Sequence, residues 1–214
     1  MTSPTDPPDS SLERFAARVA HDFNNLLTGI LGNLELLQLR AARNKLPGLD
    51  SYLEGANSAG NRAAAFAARL MLYSGSGGSA PEPVPVDQLL EGFASQANCT
   101  LAAGDAVLLC DPTQLELAMT ELLDNAAAAG GEAFISSAHV AETVLITVRD
   151  TGCGMSAETL ALAQEPFFTT QSNGTGRGLG LAIVARVVRE LGGSMGLASE
   201  PGAGCTVTLR LPLS

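Results

Sequence analysis

The segment VAHDFNNLL (residues 19–27) lies within a long amphipathic pattern that decides how the N-terminal part of the chain folds. Apolar residues recur at steps of three and four on both sides of it, which is the spacing of one face of an α-helix. These residues are Phe15, Val19, Phe23, Leu26, Leu27, Ile30, Leu34 and Leu37. His21 lies off this stripe, and Asn25 follows it by one helical turn on the same side. The pattern predicts a helix over about residues 11–43 with His21 on a polar face.

The pair His21-Asp22 has the residue types of a phosphoryl acceptor. Asp22 can take the imidazole proton or hold the ring in one tautomer, which leaves the other ring nitrogen nucleophilic. A lone histidine on a helix face is more often simply solvated. Taken by itself, the segment does not establish a function.

The overall composition argues against nucleic acid and membranes as partners. The chain has 214 residues and a formal net charge of −10 with only 12 lysines and arginines, which disfavours polyanionic partners. No apolar run approaches the ~18 to 20 residues of a membrane helix, and the N-terminus does not resemble a secretory signal. The four cysteines are scattered without a Cys-x-x-Cys pair. We expect a cytoplasmic protein with reduced cysteines.

A segment rich in glycine, serine and proline, residues 75–85, divides the chain and is expected to be a linker. Before it, two amphipathic helices separated by a turn predict a helical hairpin over residues 11–74. Residues 1–10, rich in proline, aspartate and serine, are expected to be a disordered tail. Residues 86–214 form the predicted second domain.

The predicted hairpin has more apolar surface than two helices can bury against each other. A second copy would complete a dimeric four-helix bundle with twofold symmetry. The alternative is a hairpin that packs against its own C-terminal domain.

The second domain shows strands and helices in an order typical of an α+β sandwich with helices on one face of a mixed sheet. Strand patterns occur at residues 107–110, 133–137, 144–148, 194–198 and 206–211, and helical patterns at residues 86–94, 114–129 and 179–191. Asp87, or a residue near it, is a candidate N-cap for the first of these helices.

Two short patterns in this domain have residue types suited to a nucleotide. Glu121 and Asn125 are four apart on a predicted helix and share a face, where an amide and a carboxylate can serve a magnesium ion. Asp150 follows a strand, and Gly152 and Gly154 let the backbone turn tightly, so that the carboxylate can accept a hydrogen bond from an exocyclic amine. Each pattern alone also fits an ordinary surface helix or an ordinary turn.

Four glycines precede the last predicted helix: Gly174, Gly176, Gly178 and Gly180. Unhindered backbone amides followed by a helix N-terminus can bind phosphate. A flexible loop with a helix cap is the simpler alternative.

Five segments, in this order and spacing, resemble the H, N, G1, F and G2 boxes of the histidine-kinase catalytic core. They are HDFNN (residues 21–25), ELLDNA (121–126), DTGCGM (150–155), EPFFTT (165–170) and GTGRGLGL (174–181). The resemblance covers about residues 12–212. It implies a two-component sensor histidine kinase, which autophosphorylates His21 with ATP and transfers the phosphoryl group to the receiver domain of a response regulator. It also implies a homodimer through the hairpin.

The resemblance implies a role for each matching residue. His21 would be the phosphoacceptor, Asp22 its base or orienter, Glu121 a catalytic residue, and Asn25 would position an incoming aspartate or a water for dephosphorylation of the regulator. ATP and Mg²⁺ are the implied cofactors, with Asn125 and Glu121 at the metal. The implied nucleotide-binding residues are Asn125, Asp150, Gly152, Gly154, Thr169, Gly174, Gly176, Arg177, Gly178, Leu179 and Gly180.

Three departures from the family pattern concern the nucleotide site and the sheet. Residues 126–129 are all alanine where relatives often place a basic residue, and Gln171 stands where many have lysine. Loss of one phosphate contact predicts nucleotide binding weaker by roughly ten- to a hundredfold. The segment between Ala94 and Val107 is shorter than in most relatives, so that an edge strand is expected to be missing or shortened.

Three alternatives to the kinase remain at this point. A histidine phosphotransferase would have the same fold with a degenerate nucleotide site. An ATPase of the heat-shock or mismatch-repair kind would use Glu121 to activate water. A dimerisation module would neither bind nucleotide nor transfer phosphate.

Overall fold

The computed structural model describes residues 9–43, 49–74, 79–170 and 178–213. The chain divides into two compact units, Met1–Gly77 and Gly78–Ser214. Residues 1–8 of the predicted tail and the predicted turn at 44–48 lie outside the described residues.

The first unit is a helical hairpin of α1 (Asp9–Arg43) and α2 (Asp50–Tyr73). The two helices are antiparallel, because Gln38 pairs with Asn57 through a 3.0 Å hydrogen bond while Leu31, earlier in α1, lies against Gly60, later in α2. A Cβ at Gly60 would come 2.5 Å from Leu31 Cδ2, so glycine permits the close helix approach. The predicted hairpin is confirmed.

Part of the apolar stripe of α1 faces away from α2. Leu27 is buried, whereas Leu26 is 66% exposed and Ile30 is 53% exposed in the single chain. Among the side chains of the stripe that the structure describes, the other exposed ones are Val19, Phe23 and Leu37. An isolated hairpin therefore leaves a row of large apolar side chains in water, which is unfavourable by about 25 cal/mol for each Å² of apolar surface.

The second unit is built on a five-stranded mixed sheet with the strand order β2-β4-β5-β7-β6. Its strands are β2 (Asn98–Ala102), β4 (Ala133–Val140), β5 (Thr143–Asp150), β6 (Ser194–Ser199) and β7 (Cys205–Pro212). β2 runs parallel to β4, and the other neighbours are antiparallel. A separate two-stranded sheet pairs β1 (Glu82–Pro85) with β3 (Val107–Cys110).

Two long helices, α4 (Pro112–Ala129) and α6 (Gly180–Glu190), pack side by side against one face of the sheet. The shorter helices are α3 (Val86–Glu91) and α5 (Ala157–Leu162). Alternate residues of β5 are buried under the helices: Val144, Ile146, Val148 and Asp150. The predicted α+β sandwich with a mixed sheet is confirmed.

The helix α4 begins at Pro112, directly after a capping residue. Asp111 is its N-cap: the carboxylate accepts a 2.9 Å hydrogen bond from the Thr113 N–H, and Pro112 occupies the first turn. Burial alone would raise the pKa of the Asp111 carboxyl. Hydrogen bonds from the Thr113 hydroxyl and from the N–H groups of Ser79, Thr113 and Gln114 outweigh burial and lower that pKa below its ordinary value.

Asp87 does not cap α3, contrary to the prediction. The N-cap position is Pro85, and Asp87 lies in the first turn, where it accepts hydrogen bonds from Ser137 Oγ and Gly104 N–H. Ser137 also accepts from the N–H groups of Ala102 and Ala103, so its hydroxyl links α3, β4 and the end of β2. The helix itself is shorter than predicted and ends at Glu91.

Three other elements differ from the predictions. The expected linker 75–85 includes β1, whose two prolines, Pro83 and Pro85, are exposed in a two-stranded sheet where a missing N–H is tolerated. The edge strand β2 is present, held by its parallel pairing with β4. The helix α5 has no buried residue and therefore no apolar period by which it could be recognised.

No described helix is long and apolar enough to cross a membrane.

Candidate nucleotide site

Glu121 and Asn125 of α4 meet the first residue of α6. A Cβ placed on Gly180 would lie 2.9 Å from Glu121 Oε2 and 3.3 Å from Asn125 Nδ2. Glu121 is only 4% exposed, whereas Asn125 is exposed. In the sequence, Gly180 belongs to a different motif from Glu121 and Asn125, and the packing of α6 on α4 brings all three together.

The N-terminus of α6 presents backbone amides beside these two side chains. The first N–H groups of a helix have no partner within the helix, and the N-cap residue Leu179 offers no side-chain hydrogen bond. The partial positive charge at this end favours anions such as phosphate. Leu179 itself is buried, and its carbonyl accepts a 2.8 Å hydrogen bond from Ile183 N–H. The side chain of Leu179 therefore anchors the helix in the core and does not line an open site.

Asp150 lies at the end of β5 and is 6% exposed. Its Oδ1 accepts hydrogen bonds from Gly152 N–H at 2.8 Å and from Cys205 N–H at 3.2 Å. From the described residues, its other oxygen, Oδ2, accepts none. One oxygen thus fixes the carboxylate, and the other can accept a hydrogen bond from a ligand.

The residues around Asp150 come from the loop after β5 and from the β6–β7 hairpin. Burial, and in second place the negative charge of Asp150, raise the pKa of the Cys205 thiol to about 11. The thiol is therefore neutral at pH 7. Gly154 and Gly204 both have left-handed backbones, with φ values of 65° and 79°, and pack against neighbouring backbone where a side chain would collide. The sequence predicted Gly154 but not the contributions of Gly204 and Cys205, which come from the β6–β7 hairpin.

The F-box segment contacts Gly178, two residues before the start of α6. Phe167 N–H donates a 2.7 Å hydrogen bond to Gly178 C=O, and Gly178 has a φ of 67° with no room for a side chain against the backbone of Phe167 and Phe168. Phe167 is 50% exposed and itself has a positive φ of 68°, so it is not a core residue. Thr169 is exposed.

Several predicted site residues cannot be placed in this geometry. Gly174, Gly176 and Arg177, like Gln171, lie outside the described residues. His21 and Asp22 occupy helical positions in the middle of α1, and their side chains are likewise outside the described part. Asn25, one turn later, is exposed.

The described residues offer no ready-made metal cage. Within residues 9–43, 49–74, 79–170 and 178–213, no group of three or more His, Cys, Asp or Glu side chains could hold a metal ion. The Glu121 carboxylate and the Asn125 amide are oxygen donors of the kind that Mg²⁺ accepts, and two such ligands plus substrate phosphates are a common arrangement for this ion. The donor set therefore fits a magnesium ion bound together with a nucleotide.

Comparison with known proteins agrees with this architecture. Residues 110–214 match the family of histidine kinase-, DNA gyrase B- and HSP90-like ATPases, and residues 11–75 match the His Kinase A phospho-acceptor domain. The chain thus joins a phospho-acceptor hairpin to an ATPase-type α+β domain, which defines the class of sensor kinase cores. The chain belongs to the histidine kinase family.

Individual relatives cover nearly all of the chain. The sensor kinase CckA of Brucella abortus is 30% identical over 230 aligned positions, which span 93% of this chain and 24% of the relative. The C4-dicarboxylate transport sensor protein DctB of Pseudomonas aeruginosa is 28% identical, over 94% of this chain and 36% of the relative. The chain therefore spans about a quarter to a third of the length of these relatives.

The same fold occurs in a solved structure. Full-length ShkA, crystallised in complex with AMPPNP, superposes with a TM-score of 0.79 over 94% of this chain and 46% of that chain, at 24% identity. This likeness supports the fold of both units.

Proposed function

We propose that this chain catalyses ATP-dependent autophosphorylation of His21 and then transfers the phosphoryl group to an aspartate on the receiver domain of a response regulator. The observation that carries the proposal is the meeting of Glu121, Asn125 and Gly180 at the N-terminus of α6. An oxygen-donor pair there lies beside the first backbone amides of α6, a combination that would suit a polyphosphate. We propose that the reaction takes place in the cytoplasm, where ATP is supplied.

The adenine end of ATP would bind at Asp150. Its Oδ2 can accept a hydrogen bond from the exocyclic amine, while Oδ1 is held by Gly152 and Cys205. A buried carboxylate that is left without its ligand partner discriminates strongly against bases that lack a donor at that position. The site would therefore prefer ATP to GTP.

The phosphate end would lie between α4 and α6. The Asn125 amide oxygen and the Glu121 carboxylate would hold Mg²⁺, directly or through a bound water. When bound, the ion neutralises charge on the transferring phosphoryl group. Gly180 leaves room for phosphate oxygens beside the α6 amides, and Gly178 keeps the loop backbone against Phe167 and Phe168. Gly174, Gly176, Arg177 and Thr169 would complete the loop.

His21 would act as the nucleophile. One ring nitrogen forms a bond to the γ-phosphorus, the bond from that phosphorus to the bridging oxygen breaks, and ADP leaves. Asp22 accepts or holds the proton on the other ring nitrogen, which keeps the attacking nitrogen unprotonated. The phosphoryl group then passes from His21 to the regulator's aspartate, and Asn25, one turn further along α1, would position that aspartate or a hydrolytic water.

The hairpin would dimerise through the exposed stripe on α1. Val19, Phe23, Leu26 and Ile30 are spaced by four, three and four residues, which is the repeat of a helix–helix seam. A second copy would cover this row and complete a four-helix bundle.

The described geometry favours the kinase over its alternatives. A degenerate phosphotransferase would have no reason to retain a buried Asp150 with one oxygen available, or glycine at residue 180. An ATPase that uses Glu121 alone would not need a phospho-acceptor hairpin, which the family match assigns to residues 11–75.

Labelling with γ-³²P-ATP and Mg²⁺ tests the proposal. We expect label on the wild type that is labile in acid and stable in alkali, and none on His21→Gln. Addition of a receiver domain would then move the label from this chain to the receiver. Label that persists on His21→Gln would contradict the proposal. Steady phosphate release that is unaffected by this substitution would contradict it as well and would favour the ATPase.

A further inference from the structure

The loop that carries Asp150 (residues 150–155, the adenine loop) is hydrogen-bonded through the side chain of Thr151 to Glu132, which lies between the end of α4 and the start of β4. In the β4–β5 ladder, Ala133 pairs with Asp150, so that Glu132 and Thr151 form the next pair. Thr151 N–H donates to Glu132 C=O at 3.1 Å, as an antiparallel ladder requires. The return hydrogen bond is different: Glu132 N–H donates to the Thr151 hydroxyl, Oγ1, at 3.0 Å.

The Thr151 hydroxyl therefore acts as the hydrogen-bond acceptor for Glu132 N–H, where a regular ladder would use the Thr151 carbonyl. In a regular ladder, the Thr151 C=O would accept from Glu132 N–H, and the chain would continue along the sheet. Because Oγ1 accepts in its stead, the backbone can leave the sheet directly after Asp150 and turn into the loop of Gly152 and Gly154. A side chain without an acceptor here would leave the Glu132 N–H without this partner.

Two further contacts join the same segments. Cys153 N–H donates a 3.0 Å hydrogen bond to Ala129 C=O, at the last residue of α4. A Cβ on Gly131 would lie 2.5 Å from Gly152 N, and one on Gly152 would lie 2.5 Å from the Ala129 Cβ. The backbone of the loop thus lies close against the last residue of α4 and the backbone that follows it.

This connection joins the two ends of the candidate nucleotide site. α4 carries Asn125 and Glu121 at the phosphate end, and the loop carries Asp150 at the adenine end. A ligand that engages both ends at once binds well only if their separation is fixed before it arrives, because ordering the site on binding costs affinity.

We propose that Thr151 is a positioning residue for nucleotide binding: its hydroxyl holds the adenine loop at a fixed place relative to α4. The inference rests on the proposed function of this site. It concerns Thr151 as a hydrogen-bond acceptor, so that serine at this position keeps the function and valine, which has the same shape without the acceptor, loses it.

The test measures the Kd of Mg-ATP by calorimetric titration of the full chain. We expect Thr151→Val to raise the Kd by about five- to tenfold, the cost of one lost hydrogen bond, and Thr151→Ser to stay within about twofold of wild type. Thr143→Val is the matched control. It removes a 2.9 Å hydrogen bond from Thr143 Oγ1 to Val140 C=O at the other end of β5 and leaves the Kd unchanged. Melting temperatures are recorded for all variants, since a merely structural role would lower the melting temperature without raising the Kd.

The outcomes separate this inference from the proposed function. If wild type binds, Asp150→Asn does not, and Thr151→Val binds like wild type, the nucleotide site stands and the role of Thr151 is wrong. If wild type does not bind, or Asp150→Asn binds equally well, the proposed site fails and the inference fails with it. Should Thr151→Val not fold, amide hydrogen exchange on the wild type decides: a Glu132 amide that exchanges at the rate of an unprotected amide would overturn the inference.

Discussion

The backbone of Gly180 lies against the carboxylate of Glu121: a Cβ at residue 180 would be 2.9 Å from Oε2. Glu121 is buried, so its carboxylate cannot move away freely. Alanine at residue 180 would push the carboxylate away from its place beside Asn125 and would occupy space proposed for phosphate oxygens.

We expect Gly180→Ala to abolish most of the autophosphorylation while the protein stays folded. Alanine is favoured over glycine in a helix by up to about 1 kcal/mol, which offsets the cost of moving the Glu121 side chain. Initial labelling rates with γ-³²P-ATP should fall by at least about tenfold, and the melting temperature should change little. Gly196→Ala is the control, since its Cβ would meet only Thr208 C=O at an ordinary 3.9 Å. Equal labelling of both variants would contradict the assignment of Gly180 to the site.

Asp150→Asn should weaken ATP binding by at least about tenfold. The amide can offer an NH₂ donor where the ligand's amine needs an acceptor, and a charge-assisted hydrogen bond is worth roughly 1.5–3 kcal/mol. Calorimetry with Mg-ATP measures the Kd. Asp105→Asn, in the exposed turn before β3, makes the same chemical change away from the site and should bind like wild type. ATP binding that is unchanged in Asp150→Asn would place the adenine elsewhere.

Ile30→Asp should convert the proposed dimer to a monomer. A charge placed in the middle of the exposed α1 stripe would have to be buried at the interface, which is strongly unfavourable. Sedimentation equilibrium over a range of protein concentrations measures the change. Leu36→Asp is the control, because Leu36 is similarly exposed (58%, against 53% for Ile30) but lies about 120° away around the helix. Monomers in both variants, or dimers in both, would show that this stripe is not the interface.

Asp111 should make the second unit sensitive to acid. Its pKa is lower in the folded state than in the unfolded chain, so its contribution to stability is fully present above the unfolded value, about 3.9, and is lost as the pH falls through the folded value. At pH 7 we expect Asp111→Ala to lower the free energy of unfolding by about 1 kcal/mol, the usual worth of an N-cap. Urea unfolding at pH 7 and pH 3 should show that the difference between wild type and variant shrinks in acid. A difference that is constant with pH would contradict this role.

Ser137→Ala should destabilise the second unit more than the same substitution at the neighbouring residue, Ser136. The buried hydroxyl of Ser137 donates a hydrogen bond to Asp87 and accepts hydrogen bonds from the N–H groups of Ala102 and Ala103. Its removal deprives these polar groups of this partner, at a cost of about 1–3 kcal/mol. Ser136→Ala, on the opposite face of the same strand, should change the free energy of unfolding by less than about 0.5 kcal/mol. Equal effects in urea unfolding would show that the Ser137 network contributes little.

Much of the fold could be predicted because its signals are local. The helices α1, α2 and α4 carry apolar residues at helical spacing, and β5 alternates over Thr143–Asp150. The strands β1 and β2 could not be predicted in this way. β1 contains two prolines, and β2 depends on its pairing with β4, which is remote in the sequence.

The candidate site likewise combines features that are local in the sequence with features that depend on contacts between remote segments. The spacing of Glu121 and Asn125 is enough to place them on one helix face, and glycine at residues 152 and 178 indicates a backbone that turns tightly or packs closely. The hydrogen bond from Cys205 N–H to Asp150, and the hydroxyl of Thr151 in the ladder, arise from contacts between strands. No single segment contains them, so they appear only once the sheet is assembled.

The parallel pairing of β2 with β4 has a consequence for how the protein is made. Among the described strands, β2 lies at the edge of the sheet and pairs with β4 alone, and β3 and the whole of α4 lie between them in the sequence. During synthesis β2 therefore leaves the ribosome well before it can pair, and the crossover must close before its contacts contribute. Its outward residues Asn98 and Thr100 are polar, which limits association with other nascent chains during that interval.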